Sequence, residues 1–168
     1  DIDGNVYVLD SDASQVRVFA PTGEELAAWG APGADDGQFD HPMGLALDDI
    51  GRIYVADTGN HRIQVFEADG TFAAAWDGLG LMLPRDLAFD SLGEAHIADT
   101  GNNRIVRVNA SGVYQDAWGE SGAAEGAFNH PSRILVDEDD RLYVSDMDNF
   151  RIQRFSREGT FQLAWGDE

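Results

Sequence analysis

Apolar and polar residues alternate with a period of two along short stretches of the chain. RIYVAD (52–57) and RIQVFE (62–67) are the clearest cases. Such alternation, rich in β-branched and aromatic residues, predicts half-buried strands rather than helices. Gly, Asp and Asn punctuate the runs, and the same order of runs returns four times without gaps. The copies are VYVLDSDASQVRVFAPTGEELAAWG (6–30), IYVADTGNHRIQVFEADGTFAAAWD (53–77), AHIADTGNNRIVRVNASGVYQDAWG (95–119) and LYVSDMDNFRIQRFSREGTFQLAWG (142–166). Anchored on Asp10, Asp57, Asp99 and Asp146, the intervals are 47, 42 and 47 residues. Gly23, Gly70, Gly112 and Gly159 fall thirteen positions after the anchor, and Trp29, Trp76, Trp118 and Trp165 nineteen after it. Asp1, Asp48, Asp90 and Asp137 stand nine before it, and the short interval loses its residues between Trp76 and Asp90.

Each repeat predicts four strands. The first follows a proline and is apolar: GLALD (44–48), DLAFD (86–90) and RILVD (133–137). The second and third are the alternating runs. The fourth, such as TFAAAW (71–76), follows a turn of the ADG, ASG or REG type whose glycine supplies positive φ. Four short strands in a repeat of this length make one blade of a β-propeller, so the expected fold is all-β, a set of four-stranded antiparallel blades. The blades span 1–30, 39–77, 81–119 and 128–166 of a single domain, 1–168. The first begins at the Asp that closes the innermost strand elsewhere, so blade one is expected to lack that strand. Three arrangements follow: a piece of a longer propeller, an arc completed by a second copy, or a closed four-bladed ring.

The elements HPMGLALD, IYVADTGNHRIQVF and DGTF…AW resemble the NHL repeat, a propeller-blade family. Pro42, Gly44, Asp57, Gly59, Asn60, Arg62, Ile63 and Trp76 stand at the family's positions, and the resemblance covers nearly the whole chain. Repeat one is the most degenerate, with DSDASQV (10–16) lacking the Asn and the Arg. The resemblance implies a structural role for the D-T-G-N-x-R-I loops: Asp and Asn bond local backbone, Asn or Gly takes a left-handed conformation, and Arg pairs with a carboxylate. Recurrence in several blades agrees, because a catalytic residue is needed once and a fold device in every blade. The tryptophans are expected to pack between neighbouring blades.

Composition narrows the partners. Eleven Lys and Arg against thirty-one Asp and Glu leave a net charge of −20, which repels nucleic-acid phosphates and anionic membrane surfaces. There is no cysteine, hence no disulfide, thiolate metal site or thiol nucleophile. No apolar run reaches the ~20 residues of a spanning helix, and a soluble protein is expected, its compartment open.

No catalytic constellation is legible. His41 and His130 share one repeat position before a proline, His61 sits in a loop, and His96 replaces the tyrosine of positions 7, 54 and 143. The family's amidating lyases hold zinc with histidines directly after the proline that opens an innermost strand. Here Met43, Arg85 and Ser132 stand there, so that role does not carry over, and no metal or other cofactor is expected. A calcium-dependent lactonase-like site needs Glu, Asn and Asp at the axis, and only Asp86 is so placed. Asp35, Asp36 and Asp40 lie in a connector without the spacing of a calcium loop, which reads as solvated. The candidate ligand-binding residues are therefore Met43, Arg85, Asp86, Ser132 and Arg133, expected near the axis on the loop face. Arg grips carboxylate or phosphate bidentately, unless these two pair with Asp86 and its neighbours. The expected function is a binding or scaffold module for a protein, peptide or glycan, with a second copy completing the ring as a further partner. The alternative is part of a metal-dependent lyase or hydrolase with an axial site.

Overall fold

A computed structural model describes residues 1–166. The last two positions of the expected domain, 167 and 168, lie outside the described residues. Fifteen strands form four antiparallel sheets among the described residues, and the remaining regular structure is two short 3-10 turns, Thr100–Asn102 and Met147–Asn149. None of these elements is a helix long and apolar enough to cross a membrane.

The chain divides into two compact units. The first, Asp1–Gly80, holds two sheets. Blade one is β1 (Val6–Asp10), β2 (Gln15–Phe19) and β3 (Glu25–Trp29); it is three-stranded, as its missing first segment predicts. Blade two is β4 (Gly44–Leu47), β5 (Ile53–Asp57), β6 (Arg62–Phe66) and β7 (Phe72–Trp76). The second unit starts at Leu81. Blade three is β8 (Pro84–Phe89), β9 (Ala95–Asp99), β10 (Arg104–Val108) and β11 (Tyr114–Trp118). Blade four is β12 (Pro131–Val136), β13 (Leu142–Asp146), β14 (Arg151–Phe155) and β15 (Phe161–Gly166). Each sheet is a meander in chain order, with hydrogen bonds only between consecutive strands.

Alternation places one set of side chains on each face of a sheet, and consecutive sheets bury them together. In the first unit Val16 of blade one packs with Ile53, Val55 and Phe66 of blade two. In the second, Ala98 and Ile105 of blade three pack with Leu142, Val144 and Phe155 of blade four. The tryptophans close these contacts. A Cβ placed on Gly70 would lie 2.8 Å from the Trp29 ring, and one on Gly159 would lie 2.5 Å from Trp118. Both glycines also hold positive φ, 84° and 77°, so the turn and the ring seat require the same residue.

Two carboxylates fix the strands of blades two and four, a buried one at the hub and a partly buried one at the end of the innermost strand. Asp57 accepts hydrogen bonds from Asn60, from Arg62 Nε at 2.8 Å and from Gln64 Nε2 at 2.9 Å, and from the Asp40 amide at 2.8 Å. Asp146 repeats the pattern with Asn149, Arg151, Gln153 and the Asn129 amide. The second carboxylate ends the innermost strand: Asp48 accepts from the amides of Ile50 and Arg52, the Arg52 guanidinium and the Tyr54 hydroxyl. Asp137 does the same with Asp139, Arg141 and Tyr143. Burial pushes Asp137 up, but the Arg141 amide and guanidinium and the Tyr143 hydroxyl outweigh it and hold the group at about 2.

Two expectations need correction. The left-handed residue of the D-T-G-N-x-R-I loop is neither its Gly nor its Asn but the residue after them: Ser14, His61, Asn103 and Phe150, all with φ between 53° and 58°. The connectors are also more than solvated loops. Asp35 and Asp36 are exposed, yet Phe39 and Phe128 at their ends are fully buried. The Arg62 and Gln64 side chains donate to the carbonyls of Asp35 and Gln38, so the loop is tied to the third strand of its own blade.

Candidate functional site

Three of the candidate positions follow a proline that opens an innermost strand. In blades three and four that position is the extra residue of a β-bulge. The register of β8 on β9 jumps between Pro84 and Asp86, and that of β12 on β13 between Pro131 and Arg133. Arg85 and Ser132 are thus released from the ladder, which re-aims their side chains. The residue before each proline, Leu83 or His130, holds φ of 50° or 56°, as His41 does at 46°; a threefold recurrence marks a fold device rather than stored strain at one site.

In the second unit β8 and β12 run beside one another and bring three candidates together. The Ile134 amide donates to Asp86 Oδ2 at 3.1 Å, and Arg133 Nη1 lies 3.8 Å from Asp86 Oδ1. Burial raises the Asp86 pKa against the opposing pull of the Ile134 amide and Arg133. The Arg133 side chain is 59% exposed. Arg85 does not join this pair. Its Nη1 lies 3.5 Å from Met147 Sδ, and among the described residues it has no carboxylate partner. Ser132 is half-buried beside them. Met43 belongs to the first unit, where its amide donates to the Ala56 carbonyl at 3.1 Å and its side chain is exposed.

Each unit carries a concavity, and that of the second unit is lined by two of these residues. On the loop face of the first unit a cleft of about 520 Å³ is lined by Ser11, Asp12, Ser14, Asp40, His41 and Asn60. Its floor is fixed by Ser11, whose hydroxyl donates to the Pro42 carbonyl at 2.6 Å. The composition of repeat one carried the signal for it. Ser11 and Ser14 are the small residues of the degenerate loop, and Ser14 stands where His61, Asn103 and Phe150 stand in the other blades. In the second unit a hollow of about 480 Å³ is lined by Asp86, Arg133, Leu135, Tyr143, Ile152 and Trp165. This hollow is a sheet face rather than a ligand cavity: Ile152 is 36% exposed, while its counterparts Val16 and Ile105 are fully buried against a following blade. Among the described residues no group of three or more His, Asp or Glu is arranged to hold a metal ion.

The model of the NHL repeat matches residues 39–66 and 128–155, segments that hold the hub carboxylates Asp57 and Asp146 and the strand-end carboxylates Asp48 and Asp137. The chain carries NHL repeats. Among solved structures these NHL blades are similar to streptogramin B lyase, at 20% identity and a TM-score of 0.78 over 99% of this chain and 52% of that one. They are similar too to a catalytically inactive virginiamycin B lyase from Staphylococcus aureus with quinupristin, at 20% identity, a TM-score of 0.77 and coverage of 98% and 53%. The nidogen/laminin complex shares the fold at 18% identity, with a TM-score of 0.76 and coverage of 97% and 59%. The chain therefore spans little more than half the length of these proteins. At such identities the likeness is one of fold, that of β-propeller blades. No curated protein matches the sequence.

Proposed function

We propose that the chain is a binding or scaffold module whose loop face takes a protein, peptide or glycan ligand, with Arg85 and Arg133 gripping an acidic group on it. The observation that carries this reading is Arg85. In a chain with thirty-one Asp and Glu, its guanidinium points to a thioether and has no carboxylate partner among the described residues. A bulge holds it out of the ladder, and the half-solvated Arg133 stands on the neighbouring strand. Asp86 buttresses Arg133, while Ser132 supplies a hydroxyl on the corresponding bulge of blade four. A protein ligand is favoured by the fold's occurrence in the nidogen/laminin complex.

Calorimetric titration with a Glu-rich peptide tests this. Binding that weakens with salt and drops about tenfold or more in R85A/R133A is expected, since each charge-assisted bond contributes ~1.5–3 kcal/mol. Unchanged affinity in the double variant removes the reading. The second reading, part of an axial-site lyase or hydrolase, draws its support from the streptogramin B lyase fold. Conversion of quinupristin on incubation with the protein, followed by mass spectrometry, would favour it.

A further inference from the structure

We infer that the open sheet face of blade four docks on the open face of blade one in a second copy of this chain, with Trp165 of one copy seated against Gly23 of the other. The inference stands independently of the loop-face reading.

Each unit contains one finished example of such a joint. In the first, Trp29 seats on Gly70 while Val16 meets Ile53, Val55 and Phe66. In the second, Trp118 seats on Gly159 while Ile105 meets Leu142, Val144 and Phe155. Blade four carries the same knob uncovered among the described residues: Trp165 is 43% exposed and Ile152 beside it is open, paired with it across β14 and β15. Blade one carries the same socket with nothing in it. Val6 and Val8 stand where Ile53 and Val55 stand, Phe19 where Phe66 stands, and both valines are exposed. Gly23 keeps the positive φ of Gly70 and Gly159, 86°, but the space its Cβ would enter is empty to 4 Å.

Charge singles out this occupant. Blade four bears Arg154 where blades one and two have Val18 and Val65. Blade three also has an arginine there, Arg107, but Asp116 and Glu94 of its own blade meet it, whereas the Arg154 Nε is buried without a hydrogen-bond partner among the described residues. Blade one departs on its exposed face, with Glu25 in the place of Phe72 and Phe161, which pack into the clusters shared with the preceding sheet. Glu25, already held by Arg17, offers Arg154 the acceptor that its own chain does not supply. The joint is heterologous, head to tail, so each copy uses one face of each kind.

Sedimentation velocity on the purified chain over a range of micromolar concentrations, at raised salt to screen the repulsion of two −20 chains, tests the inference. The expected result is a mass that rises with concentration to a multiple of the single chain. Trp165→Glu and Val8→Glu each disable one side and stay monomeric, with circular dichroism reporting an intact fold. Mixed in equal amounts they restore a species holding one chain of each, because each supplies the face that the other lacks. A wild-type chain that stays monomeric throughout overturns the proposal. Variants that associate like wild type, or a mixture that does not associate, overturn it as well.

Discussion

Arg62 donates through Nε to the fully buried carboxylate of Asp57 at 2.8 Å, and the same guanidinium reaches the Asp35 carbonyl at 2.8 Å. One side chain thereby joins the second strand, the third strand and the connector of its blade. Asp146 and Arg151 repeat the joint, with Arg151 reaching the carbonyls of Ala123 and Ala124.

Removing the charge at this joint leaves a nearly buried guanidinium without its ion. Asp57→Asn and Asp146→Asn are each expected to lower stability by about 3 kcal/mol in urea denaturation. Asp10→Asn should cost well under half of that. The Asp10 side chain accepts from the Ala13 amide, and repeat one has Gln15 in place of the Arg.

The turn glycines separate two costs. Gly93→Ala places a Cβ in open space at φ 73° and should cost about 1 kcal/mol, the penalty of a left-handed L-residue. Gly159→Ala adds a collision with the Trp118 ring and should cost roughly 2–4 kcal/mol, with a shift in Trp118 fluorescence. Thermal melting of the two variants gives the comparison.

Strand positions, turn glycines and the three-stranded first blade were legible in the sequence because period-two alternation and positive φ act on neighbouring residues. That the loop Arg pairs with a carboxylate was implied by the resemblance; that the carboxylate is the Asp five positions earlier, which was expected to bond local backbone, was not. What else escaped was set at longer range. The Asp40 and Asn129 amides reach their hub carboxylates across 17 residues, and Phe39 and Phe128 fill the core from within Gly-rich connectors that read as solvated. The bulges at Arg85 and Ser132 are a matter of register, which one strand alone does not encode. The first-unit cleft was missed because small residues such as Ser11 and Ser14 look like loss of pattern rather than creation of space.

His96 is buried against Asp90, with Nε2 at 3.1 Å from the carboxylate and Nδ1 without a partner. Burial lowers its pKa below 6.5 despite the pull of Asp90. The folded state therefore holds fewer protons on this ring than the unfolded chain. Stability is complete above the unfolded value and declines as pH falls below about 6.5. His96→Tyr restores the residue of positions 7, 54 and 143 and should flatten that decline. Urea midpoints measured at about pH 7.5 and pH 5 would show it.

The strand-end carboxylate acts at lower pH. With Asp137 held at about 2, below its ordinary 3.8, its contribution is complete above 3.8 and is lost as pH falls toward 2. Tyr143→Phe removes one of the hydrogen bonds that hold the ionised form, so the Asp137 titration moves upward. Carboxyl-detected NMR reads that shift directly.

The recurring Asp, Arg, Gly and Trp positions serve the fold, and the proposed binding falls to Arg85 and Arg133 at the openings of the innermost strands. The most direct test is to measure stability and ligand binding together in Arg85→Ala/Arg133→Ala. A melting temperature within ~2 °C of wild type, with affinity for an acidic peptide at least tenfold weaker, is the predicted pair. A chain that melts many degrees lower and binds the peptide as wild type does would contradict it.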